Sequence, residues 1–407
     1  MAVTVMGTSV SETYETLNIE PKPLQPHILA AATVVFGSDY YSGQRETVNL
    51  SGFVQMNKWP MEGFEHRVDD QGRAEFDTEL ISAPEIGIKG YSYTLDDRIQ
   101  VLSNPFKPNT GYVRQVVPGR NFPANFHIRR FGILETSTQR MVHRDVISMM
   151  AVIDAIPPYK KPLTSPYLGT PRGDGPLTVV PADSVVAGQN LPQAWYPADD
   201  FNEVVPGTDP AAFFAESTGP CMSFLVDPSM IMQISVEGRV TVEVGGRTET
   251  VELSGDYRKA AGAEILLFGP DKHGDGPGVQ AQLARVALTG HSSLLGGRIM
   301  LRASWPRPSA GTLGEGTEAS LDDVRYPADL DFDANFEIAT PQGVLYADHS
   351  VHLSGSLRDL HPEGAELRME GVDAPMVTVD GTGRARLAGV HLQLQDAIVG
   401  ERATVAV

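Results

Sequence analysis

The sequence predicts an all-β protein of tandem antiparallel sandwich- or barrel-like modules, with internal repeats and very little helix. Three observations predict it. Glu46-Thr-Val-Asn-Leu-Ser-Gly52, Glu249-Thr-Val-Glu-Leu-Ser-Gly255 and His349-Ser-Val-His-Leu-Ser-Gly355 say nearly the same thing, and self-similarity is a strong guide to architecture. Apolar and polar residues alternate with period two along most runs between turns. Forty Gly and thirty Pro fall mostly between those runs, where turns need them.

The first copy opens as a hairpin: Ala32-Thr-Val-Val-Phe36 is extended, Gly37-Ser-Asp turns, and the strand returns to Leu50. In the second, Ile234–Val244 leads through Gly245-Gly246 into Thr250–Leu253, and a Gly pair between alternating runs suits a two-residue turn with positive φ at both positions. The third runs from Phe336-Glu-Ile-Ala through Pro341-Gln-Gly343 to Leu353. A further strand follows each Ser-Gly: Gly72–Leu80, Gly278–Val286 and Gly383–Leu387. A third block follows in the same order, at Asp97-Arg-Ile-Gln-Val101, Gly297-Arg-Ile-Met-Leu301 and Glu401-Arg-Ala-Thr-Val405. The third copy ends with the chain and is read as partial.

Phe122-Pro-Ala-Asn125, Tyr196-Pro-Ala-Asp199 and Tyr326-Pro-Ala-Asp329 read as strand-entry turns, because proline lacks the donor that a central strand needs. Thr208-Asp-Pro-Ala-Ala-Phe-Phe-Ala-Glu216 carries a cap, an early Pro and good helix formers, so one short helix is expected there, with a turn or two over Pro23–Ala32. Ser309–Thr317 reads as a loop inserted in the second half. The expected domains are a β domain over 20–157, a Pro/Gly-rich linker over 158–193, and an acidic β region over 194–407. That last region holds repeat 2 (about 226–325) and partial repeat 3 (about 326–407).

A single cysteine, Cys221, excludes an intrachain disulfide framework and multi-Cys metal sites, and reads as a buried, inert thiol. The N-terminus has no basic segment followed by an apolar run, and no run approaches 18 apolar residues, so a cytoplasmic protein without a membrane span is expected. Net charge of −19 argues against nucleic acid and anionic lipid as partners. The charge is uneven. Residues 1–158 hold 14 Lys and Arg against 18 Asp and Glu, a net of −4, which leaves −15 for the remainder.

Signatures for nucleotide hydrolysis, Rossmann redox chemistry and serine hydrolysis are missing, and no cofactor is expected. Asp329, Asp331 and Asp333 share one face of a strand whose other face is Leu330, Phe332 and Ala334; this suits a wet strand, with a cation site as the alternative. Asp271–Gly278 reads as a polar loop tip, and no metal site is assigned. His66, flanked by Glu65 and Asp69 in Trp59–Asp70, is a candidate general base. The strongest constellation lies between Arg98 and Arg144, where eight basic residues face one acid, Glu135. It supplies His127 and His143 as candidate acid–base groups, with Asp145 to orient His143. Arg114, Arg129, Arg130 and Arg144 are candidate anion ligands, since guanidinium suits bidentate carboxylate or phosphate contacts. The same surface equally suits docking on the acidic half of this chain or of a second copy.

Two functions follow. One is binding of a small, partly apolar anion in the first domain, extending to cofactor-free isomerisation, cyclisation or hydration by histidine acid–base chemistry. The other is a structural or assembly role through self- or partner association, for which a flat apolar patch or an open sheet edge would be the sign.

Overall fold

The computed structural model describes residues 27–36, 44–57, 66–81, 87–103, 110–120, 122–130, 132–137, 140–143, 147–153, 162–163, 176–180, 213–216, 223–226, 228–269, 278–304, 309–371, 373–378 and 384–401. Regular structure there is entirely β, apart from 3-10 turns at Tyr257–Lys259 and Leu321–Asp323. The all-β reading holds, and the chain forms two compact units: Met1–Lys89 with Ile99–Val226, and Gly90–Arg98 with Asp227–Val407.

The strands running through the first unit are β1 (His27–Phe36), β2 (Gln44–Phe53), β3 (Gln55–Asn57), β4 (His66–Val68), β5 (Ala74–Ile81), β6 (Ile88–Ser92), β7 (Asp97–Ser103) and β8 (Thr110–Gln115). They continue with β9 (Ala124–Arg130), β10 (Gly132–Glu135), β11 (Arg140–His143), β12 (Ile147–Ile153), β13 (Pro162–Leu163), β14 (Pro176–Val180), β15 (Phe213–Glu216) and β16 (Ser223–Val226). The second unit holds β17 (Met230–Val244), β18 (Arg247–Gly255), β19 (Gly262–Phe268), β20 (Val279–Ser292), β21 (Gly297–Ala303), β22 (Ser309–Leu313) and β23 (Ala328–Ala334). Its remaining strands are β24 (Phe336–Thr340), β25 (Gly343–Ala347), β26 (Val351–Leu357), β27 (Glu366–Glu370), β28 (Ala374–Thr378) and β29 (Arg384–Glu401).

Pairing decides between sandwich and barrel. In the second unit the ladder β17–β19–β20–β21–β24–β25–β28–β29 returns to β17, closing an eight-stranded antiparallel circuit. A second circuit, β17–β18–β20–β22–β23–β26–β27–β29, shares its three long strands. Eight strands enclose an interior that side chains can fill. Forty apolar residues fill this one, among them Ile234, Val240, Leu288, Phe332 and Leu392. Alternation puts them there: in β23, Ala328, Leu330, Phe332 and Ala334 are buried, while Asp329 and Asp333 are exposed.

The first unit repeats the scheme. Its circuit β1–β2–β6–β7–β10–β11–β14–β15 returns to β1, and β3–β5–β8–β9–β12 forms the partner ladder. Registers match between units. Ser51 pairs with Lys89 as Ser254 pairs with Thr289, and Phe126 pairs with Ala151 as Leu330 pairs with Gly355. Phe122-Pro123 and Tyr326-Pro327, both cis, enter the corresponding strands β9 and β23; Tyr196-Pro-Ala-Asp199 lies outside the described residues.

The repeated Ser-Gly has a steric cause. A Cβ on Gly52 would come within 2.5 Å of the Gly87 carbonyl oxygen, and one on Gly255 within 2.5 Å of the Ala287 carbonyl oxygen. One on Gly355 would run into the Glu366 carbonyl. Each block ends where another strand crosses too closely for any side chain.

Several expectations change. Phe213–Glu216, read as helix, is β15, paired with β1 on one edge and β14 on the other; two ladders outweigh a helix preference of tenths of a kcal/mol per residue. Thr208–Ala212 lies outside the described residues. His27–Phe36 is one long strand where Pro23–Ala32 was expected to turn. Ser309–Leu313, expected as loop, is β22. Within the expected linker, Pro162–Leu163 and Pro176–Val180 are strands, because their partners β16, β11 and β15 come from elsewhere in the chain. The third copy completes a barrel rather than leaving one short: β29 pairs with β17 over its length, and every described strand of the second unit has partners on both edges.

Candidate functional site

The cationic segment enters the first unit through β8 and β9. Period two divides the β4–β5–β8–β9 sheet into a buried face with Ala74, Val113, Gln115, Ala124 and Phe126, and an outer face with Arg67, Glu75, Asp77, Tyr112 and Arg114. Arg67, Glu75 and Arg114 stand in one cross-strand row.

Arg114 is already engaged. Its Nε donates to Glu75 Oε2 at 2.5 Å, its Nη2 ion-pairs with the same oxygen, and its guanidinium lies 4.7 Å from the Tyr112 ring centroid. Arg67 donates to Asp77 Oδ1 at 2.6 Å and comes within 3.6 Å of Glu75. At the β4–β5 turn, hydrogen bonds from the Arg73 side chain and backbone hold the Asp69 carboxyl below the usual carboxylate range.

On the buried face, Gln115 Oε1 accepts the Ala74 N–H at 3.0 Å and the Gly119 N–H at 3.2 Å, tying two turns to the end of β8. Its Nε2 is buried with no acceptor among the described residues. An unmatched buried donor costs about 1–3 kcal/mol. Sequence reading passed over Gln115, although the signal was there: a polar residue in phase with Val113.

The other candidates fall as follows. His127 stands opposite Tyr112 and Arg129 opposite Thr110, so Arg114, His127 and Arg129 occupy neighbouring positions of one register phase. Arg130 and His66, opposite Ile147 and Phe76, take the other phase. His143, on β11 opposite Leu177, belongs to the other ladder of the unit. Arg144, Asp145, Cys221, the Trp59–Glu65 stretch and Asp271–Pro277 lie outside the described residues.

The second unit holds polar clusters of other kinds. Glu249 accepts from Ser292 Oγ (2.6 Å), Ser293 N (2.9 Å), Ser293 Oγ (2.8 Å) and Leu294 N (3.0 Å), and these bonds bring its carboxyl down to about 2. It clamps the β20–β21 turn. Buried Arg302 and Ser304 donate to Glu337 at 2.8 and 2.7 Å. His352 sits 3.7 Å from Asp331 and 3.5 Å from Asp333, and burial pushes the Asp331 carboxyl up. Among the described residues no group of three or more His, Cys, Asp or Glu could hold a metal ion, and no helix is long and apolar enough to cross a membrane.

A model described as a family of unknown function (DUF6004) matches residues 7–407. The chain belongs to the DUF6004 family. No curated protein matches it. Among solved structures it is similar to DynF from the dynemicin biosynthesis pathway of Micromonospora chersina, at 17% identity and a TM-score of 0.33, over 42% of this chain and 81% of that one. At that score the fold of this family member stands on its own strand pairing.

Proposed function

We propose that this DUF6004 chain is a cytoplasmic protein whose first unit binds a small, partly apolar anion. One observation supports this above the rest: a charge contrast at matched registers. Following Pro-Ala, β9 reads Asn125, His127, Arg129 where β23 reads Asp329, Asp331, Asp333, in strands with the same order of neighbours. One copy carries Asn, His and Arg along a row where the other carries three Asp. Arg129 and Arg144 hold the anion in this reading, while Arg114, bound to Glu75, braces the row; Arg130, in the other register phase, falls outside it. His127, which shares the row, then moves protons in a cofactor-free isomerisation, cyclisation or hydration, whereas His66 is in the other register phase and His143 on the other ladder.

A thermal-shift screen of small carboxylates and phosphates tests it, comparing wild type with Arg129→Ala plus Arg144→Ala. The expected result is stabilisation lost in the double variant. Stabilisation that survives both substitutions removes the arginine site.

The second reading is a scaffold or assembly role for the second unit. Its interior is filled, but its described strands are paired on both edges, so the open edge expected of an assembly module is not there and association would have to use a sheet face. Light scattering on the full chain separates the two readings: a stable oligomer that no small anion stabilises supports assembly.

A further inference from the structure

We propose that the Gln115 carboxamide is the polar anchor of a ligand site at the turn end of the first unit, taking a carboxylate or carbonyl oxygen from a molecule with an apolar body. The proposal rests on the reading that this unit binds a small, partly apolar anion, and it moves the polar contact from the outer arginine row to the buried face of the same sheet.

The amide orientation is fixed by chemistry. Its oxygen accepts two backbone N–H groups, from Ala74 and Gly119, and exchanging oxygen and nitrogen would set an NH2 against two donors. Nε2 therefore carries its two N–H bonds away from both turns. Gln115 is 3% exposed, and that nitrogen meets no acceptor among the described residues. Nearly all buried donors in folded proteins have partners, so one held in place without a partner marks where an acceptor belongs.

The surroundings suit such a guest. Ala74 and Ala124 flank Gln115 across the sheet, and each ends at Cβ. Val68, opposite Ala74, is 49% exposed, and Val116 and Val117, directly after Gln115, are 37% and 41% exposed. The two turns are neighbours, since a Cβ on Gly72 would touch Pro118 at 3.9 Å. A buried donor with exposed valines beside it fits a short amphiphile: polar end on the amide, hydrocarbon against the valines. The oxygen can come from a carboxylate or a neutral carbonyl, and octanoate and octanamide distinguish them.

Gln115→Glu tests the idea, because its carboxylate keeps both backbone bonds while removing both donors. Calorimetric titration of the full chain with octanoate and octanamide should show binding weakened at least tenfold in the variant. In the wild type, the side-chain amide resonance of Gln115 should move on titration, a readout independent of whether the variant folds. Binding that leaves this resonance and the Gln115→Glu affinity unchanged, yet disappears with Arg129→Ala plus Arg144→Ala, overturns the anchor and keeps the anion reading. No movement of the resonance with either probe overturns the anchor as well. If no anion or amphiphile binds the wild type, both readings fall.

Discussion

Glu249 offers the most direct test of how the second barrel is held. Its two carboxylate oxygens take four hydrogen bonds from the β20–β21 turn, Oε1 from Ser293 N and Oγ, Oε2 from Ser292 Oγ and Leu294 N. A hydrogen bond to a charged group contributes about 1.5–3 kcal/mol when buried. The side chain is half-buried, so water competes, and roughly 0.5–1 kcal/mol per bond is the fair figure. Glu249→Ala should then cost about 2–4 kcal/mol. Glu249→Gln should not rescue it, because either placement of its NH2 meets a backbone N–H, from Ser293 or from Leu294. The folded-state pKa lies near 2, below the ordinary carboxylate value. The contribution is therefore complete above pH 4.5 and lost as pH falls toward 2. Urea denaturation of wild type and variant from pH 7 to pH 2.5, with hydrogen exchange resolved on β20 and β21, measures this. A wild-type advantage below about 0.5 kcal/mol at pH 7, or one unchanged across that range, would refute the clamp.

Two further outcomes are expected. Gly355→Ala should destabilise the second unit by about 2 kcal/mol or more, because its Cβ meets the Glu366 carbonyl, whereas Ala151→Gly, at the matching register, should change stability by no more than about 1 kcal/mol; chemical denaturation compares them. Arg302→Met should cost about 3–5 kcal/mol by stranding the buried Glu337 carboxylate, and adding Glu337→Leu should recover most of it, which a double-mutant cycle reads directly.

Much of the architecture was legible because alternation is a local property. Leu330, Phe332 and Ala334 against Asp329, Asp331 and Asp333 declare which face goes inward without reference to any partner. Gly245-Gly246 gives the β17–β18 turn for the same reason, with φ of 58° and 76°. The helix expected at 208–216 is strand over its described part, Phe213–Glu216, because short propensity signals yield to ladders formed with distant strands. At the candidate site, alternation puts His127 and Arg129 in one phase of β9, and the register with β8 adds Arg114 to it. The capture of Arg114 by Glu75, 39 residues away, was not readable from spacing, since it depends on which strand lies beside β8.

The sequence alone determined that the chain is pleated, duplicated, two-faced and acidic. Tertiary structure decided which edge meets which. The Ser-Gly blocks look alike, yet Gly255 packs beside β20 while Gly355 packs beside β27. Closure of each ring is likewise a non-local event: β29 must return to β17 across about 150 residues, and neighbouring residues carry no record of so distant a pairing.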